Sequence, residues 1–357
     1  MPIAHSNINL KNKVMNLQNI YIILLMTITL NCSAESNKVA ILYSDMMLEH
    51  KTGENHPEKP ERLSSAVNAV KNNNALSKYL IWPTVNKADN NHIQLAHTDD
   101  YIKLVNSEIK KLDVHQQVLL STGDVLISKD SDKAARFAVG AGITGIDQIM
   151  TKKASSAFAL VRPPGHHATS NRGMGFCIYN NIAVAAKYLQ EKYELKRILI
   201  VDYDVHHGNG TQDIFYSDES VFYFSVHQHP FYPGTGRANE TGQGKGKGAT
   251  LNVELPEGSG DKLLVSAFEQ NLVPAMKNFN PDFILVSSGF DGHKDDLLGG
   301  LSYTSDGYKS VATILTKLAN EFADGRIMFM LEGGYTTAST NESIIAVLEV
   351  LTESIRN

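Results

Sequence analysis

Two cysteines among 357 residues cannot staple a fold, so a hydrophobic core rather than a disulfide framework must hold this chain together. Positive charge is not in excess either. Lys and Arg number 33 against 38 Asp and Glu, a net charge of −5 with pI ≈ 6.2, which argues against a basic grip on nucleic acid. No apolar run reaches the ~20 residues of a spanning helix, and there is no internal repeat or low-complexity tract. With 42% hydrophobic and 20% charged residues, the chain is neither disordered nor collagen-like. The length suits one large α/β domain or two smaller ones. What is plentiful is histidine: there are 13, and their positions carry the functional signal.

Lys11 and Lys13 precede the apolar run Ile20–Leu30, which is followed by Asn31-Cys32-Ser33-Ala34. This pattern reads as a signal peptide over residues 1–34, cut after Ala34, and predicts an exported protein whose single remaining thiol is Cys177. A buried N-terminal element, a lipid anchor on Cys32 or translation from Met15 are the other readings. The Thr29-Leu30-Asn31 context suits a lipid anchor poorly.

Beyond this segment, β-branched apolar runs alternate with helical patterns. Strands are expected at Val39–Tyr43, Ser156–Val161, Arg197–Asp204, Val221–His227, Thr250–Leu255, Phe283–Gly289 and Ile327–Leu331. Helices are expected at Pro60–Asn72, Asp132–Met150, Ile178–Lys192, Lys262–Phe279, Ser305–Phe322 and Asn341–Ser354, with Asp132 and Ser305 as caps. Near-continuous apolar strands separated by helices predict an open parallel sheet covered on both faces. The stretch Gly234–Gly248 reads as a long flexible loop and not a phosphate loop, since no strand runs into it and no helix follows.

In such sheets ligands bind outside the carboxyl ends of the strands, and the polar clusters fall there. Four strands run into Arg162-Pro163-Pro164-Gly165-His166-His167, Asp202-Tyr203-Asp204-Val205-His206, Gly289-Phe290-Asp291 and Glu332-Gly333-Gly334-Tyr335. In extended chain, residues two apart share a side, so Asp202, Asp204 and His206 are expected to face one locus. With Asp291 they offer carboxylates and an imidazole to a divalent cation such as zinc. A lone D-x-D more simply caps the next helix, and an isolated His pair is often incidental. Adjacent His166 and His167 after a Pro-Pro-Gly turn, beside such a ligand set, instead suit general acid/base work, with Asp202 and Asn209 free to orient the two rings. Tyr335, after two glycines, is either a core aromatic or a phenol able to donate to an oxyanion.

Together these motifs, with His56-Pro57-Glu58-Lys59-Pro60-Glu61-Arg62-Leu63, Gly173–Asn181, Ser225–Gly236 and Ser287–His293 in this order, resemble the histone deacetylase superfamily, which includes acetylpolyamine amidohydrolases and acetoin-utilisation proteins. The resemblance covers the chain from Val39 to about Leu351. It implies an arginase/deacetylase-like three-layer α/β fold with a central, mostly parallel sheet of about eight strands, and a single catalytic domain over residues 35–357. It implies zinc on Asp204, His206 and Asp291, a tandem pair of His166 and His167 oriented by Asp202 and Asn209, and Tyr335 as oxyanion donor. Phe176 and Tyr232 would line the acyl channel, with Gly175 on its wall. A potassium site is implied at Asp202, Asp204, His206, Ser225 and Val226, and a peripheral monovalent site at Phe215 and Val221.

Asn209 and the Arg162-Pro163-Pro164 run look class II-like. Tyr335, where weakly active relatives carry His, points to a working enzyme. Polyamine-specific relatives place a Glu where Leu298 stands here, so the expected substrate is acyl-lysine in proteins or peptides, although Asp295 and Asp296 lie close by. An amidohydrolase of acetylpolyamines or other acylated amines, and an inactive acyl-lysine-binding protein, are the rival readings. Iron or cobalt would also suit an Asp/His/Asp ligand set.

Overall fold

The structure, a computed structural model, describes residues 1–2 and 37–356. The expected signal peptide falls outside the described residues. The described strands and helices all lie within the compact unit 36–357. Among the described residues ten strands are present: β1 (Val39–Leu42), β2 (Leu80–Ile81), β3 (Val118–Leu119), β4 (Leu126–Ile127), β5 (Ser156–Ala159), β6 (Ile198–Asp202), β7 (Val221–Gln228), β8 (Thr250–Leu255), β9 (Phe283–Ser288) and β10 (Ile327–Leu331). Eight form one sheet in the order β2-β1-β5-β10-β9-β6-β7-β8, every neighbouring pair parallel. β3 and β4 make a separate antiparallel hairpin.

The sequence explains the layering. β1, β5, β6, β9 and β10 are buried at every position, as strands covered on both faces must be. Helices close around the sheet on apolar stripes. In Ser305–Phe322 the buried residues include Tyr308, Val311, Ala312, Leu315, Leu318 and Ala319, a spacing of three and four that presents one face. In Ser131–Met150 two glycines allow the helix to press on β10. A Cβ at Gly145 would lie 2.6 Å from the Met328 methyl, and one at Gly142 would lie 3.0 Å from that of Met330.

Several boundaries differ from expectation. The caps fall at Asp130 and Thr304. Asp132 lies within the first turn and pairs with Arg136 at 2.8 Å, while Thr304 is gripped by Asp261, which accepts both its N–H and its hydroxyl. The expected helix Lys262–Phe279 contains a π turn at Phe268–Leu272, just before Pro274, which brings no N–H to an α ladder. The helices Asp99–Lys110 and Asn209–Phe215 were not anticipated. The glycine-rich stretch is a pinned loop rather than a loose one. Glu240 accepts from Gly236 N, Arg237 N and Gln212 Nε2, and Asn252 Nδ2 donates to the carbonyls of Arg237 and Glu240. Among the described residues no helix is long and apolar enough to cross a membrane.

Candidate active site

The four polar clusters follow β5, β10, β9 and β6, which are the four adjacent strands at the middle of the sheet. Parallel pairing places all their carboxyl ends on one edge, so residues far apart in the chain meet there.

Asp204, His206 and Asp291 each offer one ligand atom, and these atoms lie within 4.8 Å of one another. His206 Nδ1 sits 3.0 Å from Asp204 Oδ1 and 3.2 Å from Asp291 Oδ2. The chain leaves room for this group by omitting side chains around it. A Cβ on Gly333 would fall 2.0 Å from Asp291 Oδ2, and one on Gly289 would fall 2.1 Å from Asp204 Oδ2. Burial and the Asp204 charge push Asp291 up to about 7. Burial would raise Asp204 too, but the His166 charge and the His206 hydrogen bond hold it low. Burial lowers His206, yet its bonds to the two carboxylates lift it to about 9. Two buried carboxylates this close repel unless a cation lies between them. The mixed oxygen and nitrogen donor set, with its glycine-cleared space, fits zinc.

Asp202 does not join this group. β6 ends at Asp202, so the alternation that would point Asp202, Asp204 and His206 together stops there. Asp202 Oδ2 instead lies 3.0 Å from His166 Nδ1 and accepts from the Tyr223 hydroxyl at 3.1 Å. His167 Nδ1 lies 2.8 Å from Asn209 Oδ1, and the two rings of the pair are 4.0 Å apart. Their settings differ in charge. Burial lowers His166, but Asp202, Asp204 and Glu332 outweigh it and lift the ring to about 10. Burial, then the charges on His166 and His206, hold His167 well below the ordinary histidine range.

Above the pair stand aromatic walls. Tyr232 meets His167 edge-on at 5.2 Å, and Phe231, which sequence reasoning missed, stacks on His206 at 5.2 Å. Phe176 lies 6.0 Å from Tyr335. Its backbone is left-handed (φ 67), as is that of Gly175, a costly conformation for Phe that the surrounding contacts must enforce. Gly175 has to be glycine, since a Cβ would sit 2.2 Å from His167 Cδ2. Its N–H donates to Asp124 and its carbonyl accepts from the Cys177 thiol. Tyr335 is buried, and that burial raises its phenol well above the usual range, so it stays a donor.

Leu298 lies half-buried in the loop after Asp291, its N–H donating to Asp296. The two acids near it differ, Asp295 being exposed and Asp296 half-buried. Asp295 pairs with Lys294 at 2.7 Å, and Asp296 accepts backbone N–H groups. Ser225 pairs with Asp202 across β6 and β7, and its hydroxyl meets His227 Nδ1 at 2.8 Å; Val226 follows in β7, which begins at Val221, and Phe215 ends the short helix.

Sequence reasoning placed Glu332 in its cluster but gave it no role. Its buried carboxylate accepts Gly165 N–H at 2.6 Å, His166 N–H at 3.2 Å and the Ser287 hydroxyl at 2.9 Å, tying the histidine turn to β9 and β10. Arg62 and Arg162 pair with buried Glu58 beneath the turn, at 3.1 and 2.7 Å. The only sequence signal for these residues is their place inside the motifs.

Comparison with known proteins places the chain in a family. The profile of the histone deacetylase domain matches residues 56–351. The chain is 39% identical over 315 residues to histone deacetylase 10, chloroplastic, of Oryza sativa subsp. japonica, covering 85% of this chain and 71% of that one. It is 35% identical over 316 residues to a probable deacetylase of Archaeoglobus fulgidus, covering 86% and 85%. It spans only 49% of histone deacetylase 5 of Arabidopsis thaliana, at 39% identity over 88% of this chain. The crystal structure of the HDA15 HD domain superposes with a TM-score of 0.82 at 36% identity, covering 89% of each chain. The fold is thus the arginase/deacetylase-like one, and the chain belongs to the histone deacetylase family.

Proposed function

We propose that this chain is a zinc-dependent deacylase that hydrolyses the amide of acetyl-lysine, or a related acyl-lysine, in proteins or peptides. The observation that carries the proposal is the convergence of Asp204, His206 and Asp291 within 4.8 Å beside a histidine pair whose members have unlike partners. Held by those three residues, zinc would supply Lewis-acid polarisation of the acyl carbonyl and of the attacking water.

The chain's own residues then divide the proton work. His167, kept neutral, takes a proton from water on Nε2 while Asn209 fixes its Nδ1 side. His166, kept charged by Asp202, stabilises the negative charge that builds beside it. The proton on His167 passes to the leaving amine nitrogen. Tyr335 donates its phenol to the carbonyl oxygen as that oxygen becomes anionic. Phe176 and Tyr232 exclude water around the lysine stem.

The half-buried Leu298, and the engagement of Asp296 by backbone N–H groups, favour acyl-lysine over an acetylpolyamine, which would call for a carboxylate at that position. A potassium ion at the level of Asp202, Asp204, His206, Ser225 and Val226 belongs to the proposal on resemblance, as do the single domain over 35–357 and export directed by residues 1–34. N-terminal sequencing of the mature protein tests export: an intact Met1 would overturn it.

The deciding experiment is turnover of an acetyl-lysine peptide against N-acetylputrescine, with and without a zinc chelator. Tyr335→Phe should retain zinc and lose ~10²–10³ in kcat. Turnover near wild type in that variant, or chelator-resistant activity, would refute the mechanism.

A further inference from the structure

Tyr335 sits on a backbone that glycine makes loose. Gly333 and Gly334 precede it, Gly334 at φ 117, and the helix Thr337–Arg356 begins two residues later. A phenol on such a hinge is useful only if something fixes its main chain. One side is fixed by Arg62, which donates to the carbonyls of Glu332 and Gly334. The other side is fixed from a different loop. Asp296 Oδ2 accepts the N–H of Tyr335 at 2.6 Å and of Thr336 at 2.9 Å. Its Oδ1 accepts Leu298 N–H at 3.1 Å, and its own N–H goes to the His293 carbonyl at 2.9 Å.

We infer that Asp296 is a positioning residue for the reaction: it clamps the Tyr335 backbone to the loop that carries Asp291, so that the oxyanion donor and the metal cradle move as one piece. The inference rests on the role proposed above for Tyr335. Its chemistry is that of a helix cap contributed from a distance. The N–H groups before and in a first helical turn lack intrahelical partners, and a carboxylate is their strongest acceptor because it carries a full charge toward the positive end of the helix. Here the capped residues include the one whose side chain must reach the substrate. The same carboxylate is thereby withdrawn from the mouth, where its position in the sequence would have it greet a cationic substrate.

A merely structural cap would slow every variant background alike, whereas a clamp on Tyr335 acts only while the phenol is present. The test is therefore a cycle of Asp296→Ala, Tyr335→Phe and the double variant. Single-turnover kinetics on an acetyl-lysine peptide are read beside zinc content and melting temperature, and high enzyme concentration keeps the slow variants measurable. Asp296→Ala should lower kcat by roughly ten- to a hundredfold, the worth of hydrogen bonds to a charged acceptor, with KM within about twofold and zinc unchanged. Adding it to Tyr335→Phe should change the rate by less than about twofold. Asp296→Asn keeps the volume and one oxygen able to accept both N–H groups. It should fall between wild type and Ala, and it carries the same cycle if the Ala variant does not fold.

Equal losses in both backgrounds, or an Asp296→Ala enzyme with wild-type kcat, would overturn the clamp and leave the proposed mechanism standing. If Tyr335→Phe alone turns over like wild type, the oxyanion role fails, and the clamp with it.

Discussion

His166 and His206, over the carboxylate floor of the site, and His97 and His227, in the scaffold around it, are all largely enclosed, yet they are pushed in opposite directions. Burial lowers all four. At the floor, Asp202, Asp204 and Asp291 more than offset it, and the rings rise to about 10 and about 9. In the scaffold only backbone groups, a hydroxyl and more distant charges are at hand, and both rings fall to about 4. In these four rings enclosure with no close carboxylate leaves the histidine neutral, and close carboxylates with no opposing cation favour the charged ring while no metal is bound. His167 stands at the border, tilted against a charged ring 4.0 Å away but partnered by an amide, and so remains a neutral base.

The largest effect should come from breaking the floor. Asp204 accepts from His206 and from Gly333 N–H and lies 3.9 Å from His166, so it serves the metal cradle and the charged ring together. Asp204→Ala should purify without stoichiometric zinc and lose ~10⁴-fold or more of its activity. Full zinc occupancy by metal analysis would show that the cradle is misassigned. Next in size is His167→Ala, which should keep zinc and lose ~10²–10⁴ in kcat; retained turnover would remove this ring from proton transfer.

A milder change asks whether the border can be moved. Asn209→Asp would give His167 the kind of partner that His166 has. A carboxylate favours the charged ring, so its pKa should rise by about one unit or more. The acid limb of the kcat/KM profile should then shift to higher pH, because the base works only when unprotonated. An unmoved limb would mean that Asn209 does not set the charge of His167.

The floor was legible in the sequence and its surroundings were not, for a physical reason. Continuous apolar runs marked β5, β6, β9 and β10, and the residue types just beyond them marked the site, because strand ends deliver side chains to one edge whatever the loops do. β2, with two residues, is too short to leave a pattern. Alternation set Asp202 among the metal-facing residues because it holds only while the chain stays extended, whereas the other expected place of Asp202, beside His166, is where it lies. Glu332, Asp296 and Phe231 act on groups far away in sequence, the first two through backbone N–H donors, which have no signature in residue identity. The Gly234–Gly248 loop looked free because composition reports conformational freedom, while Glu240 and Asn252 hold it from outside that freedom.

The smallest predicted effect sharpens the scaffold half of the comparison. His97 Nε2 accepts Asn180 N–H at 2.8 Å, so the ring must be neutral to make that bond. Asn180 in turn caps the helix Asn181–Tyr193 and holds the Ala168 carbonyl just after the histidine pair. The folded pKa of about 4 lies below the ordinary 6.5. Between these values the unfolded chain binds the extra proton, so stability falls as pH drops from 6.5 toward 4. His97→Gln keeps an acceptor for Asn180 and has nothing to protonate. Its unfolding free energy should therefore fall less steeply over that window, by up to ~1.4 kcal/mol per pH unit for the one proton removed. Denaturant melts at about pH 7, 6 and 5 read this directly. Parallel curves for the variant and the wild type would mean that His97 is already protonated in the fold, and that enclosure without a carboxylate is not what keeps a scaffold histidine neutral.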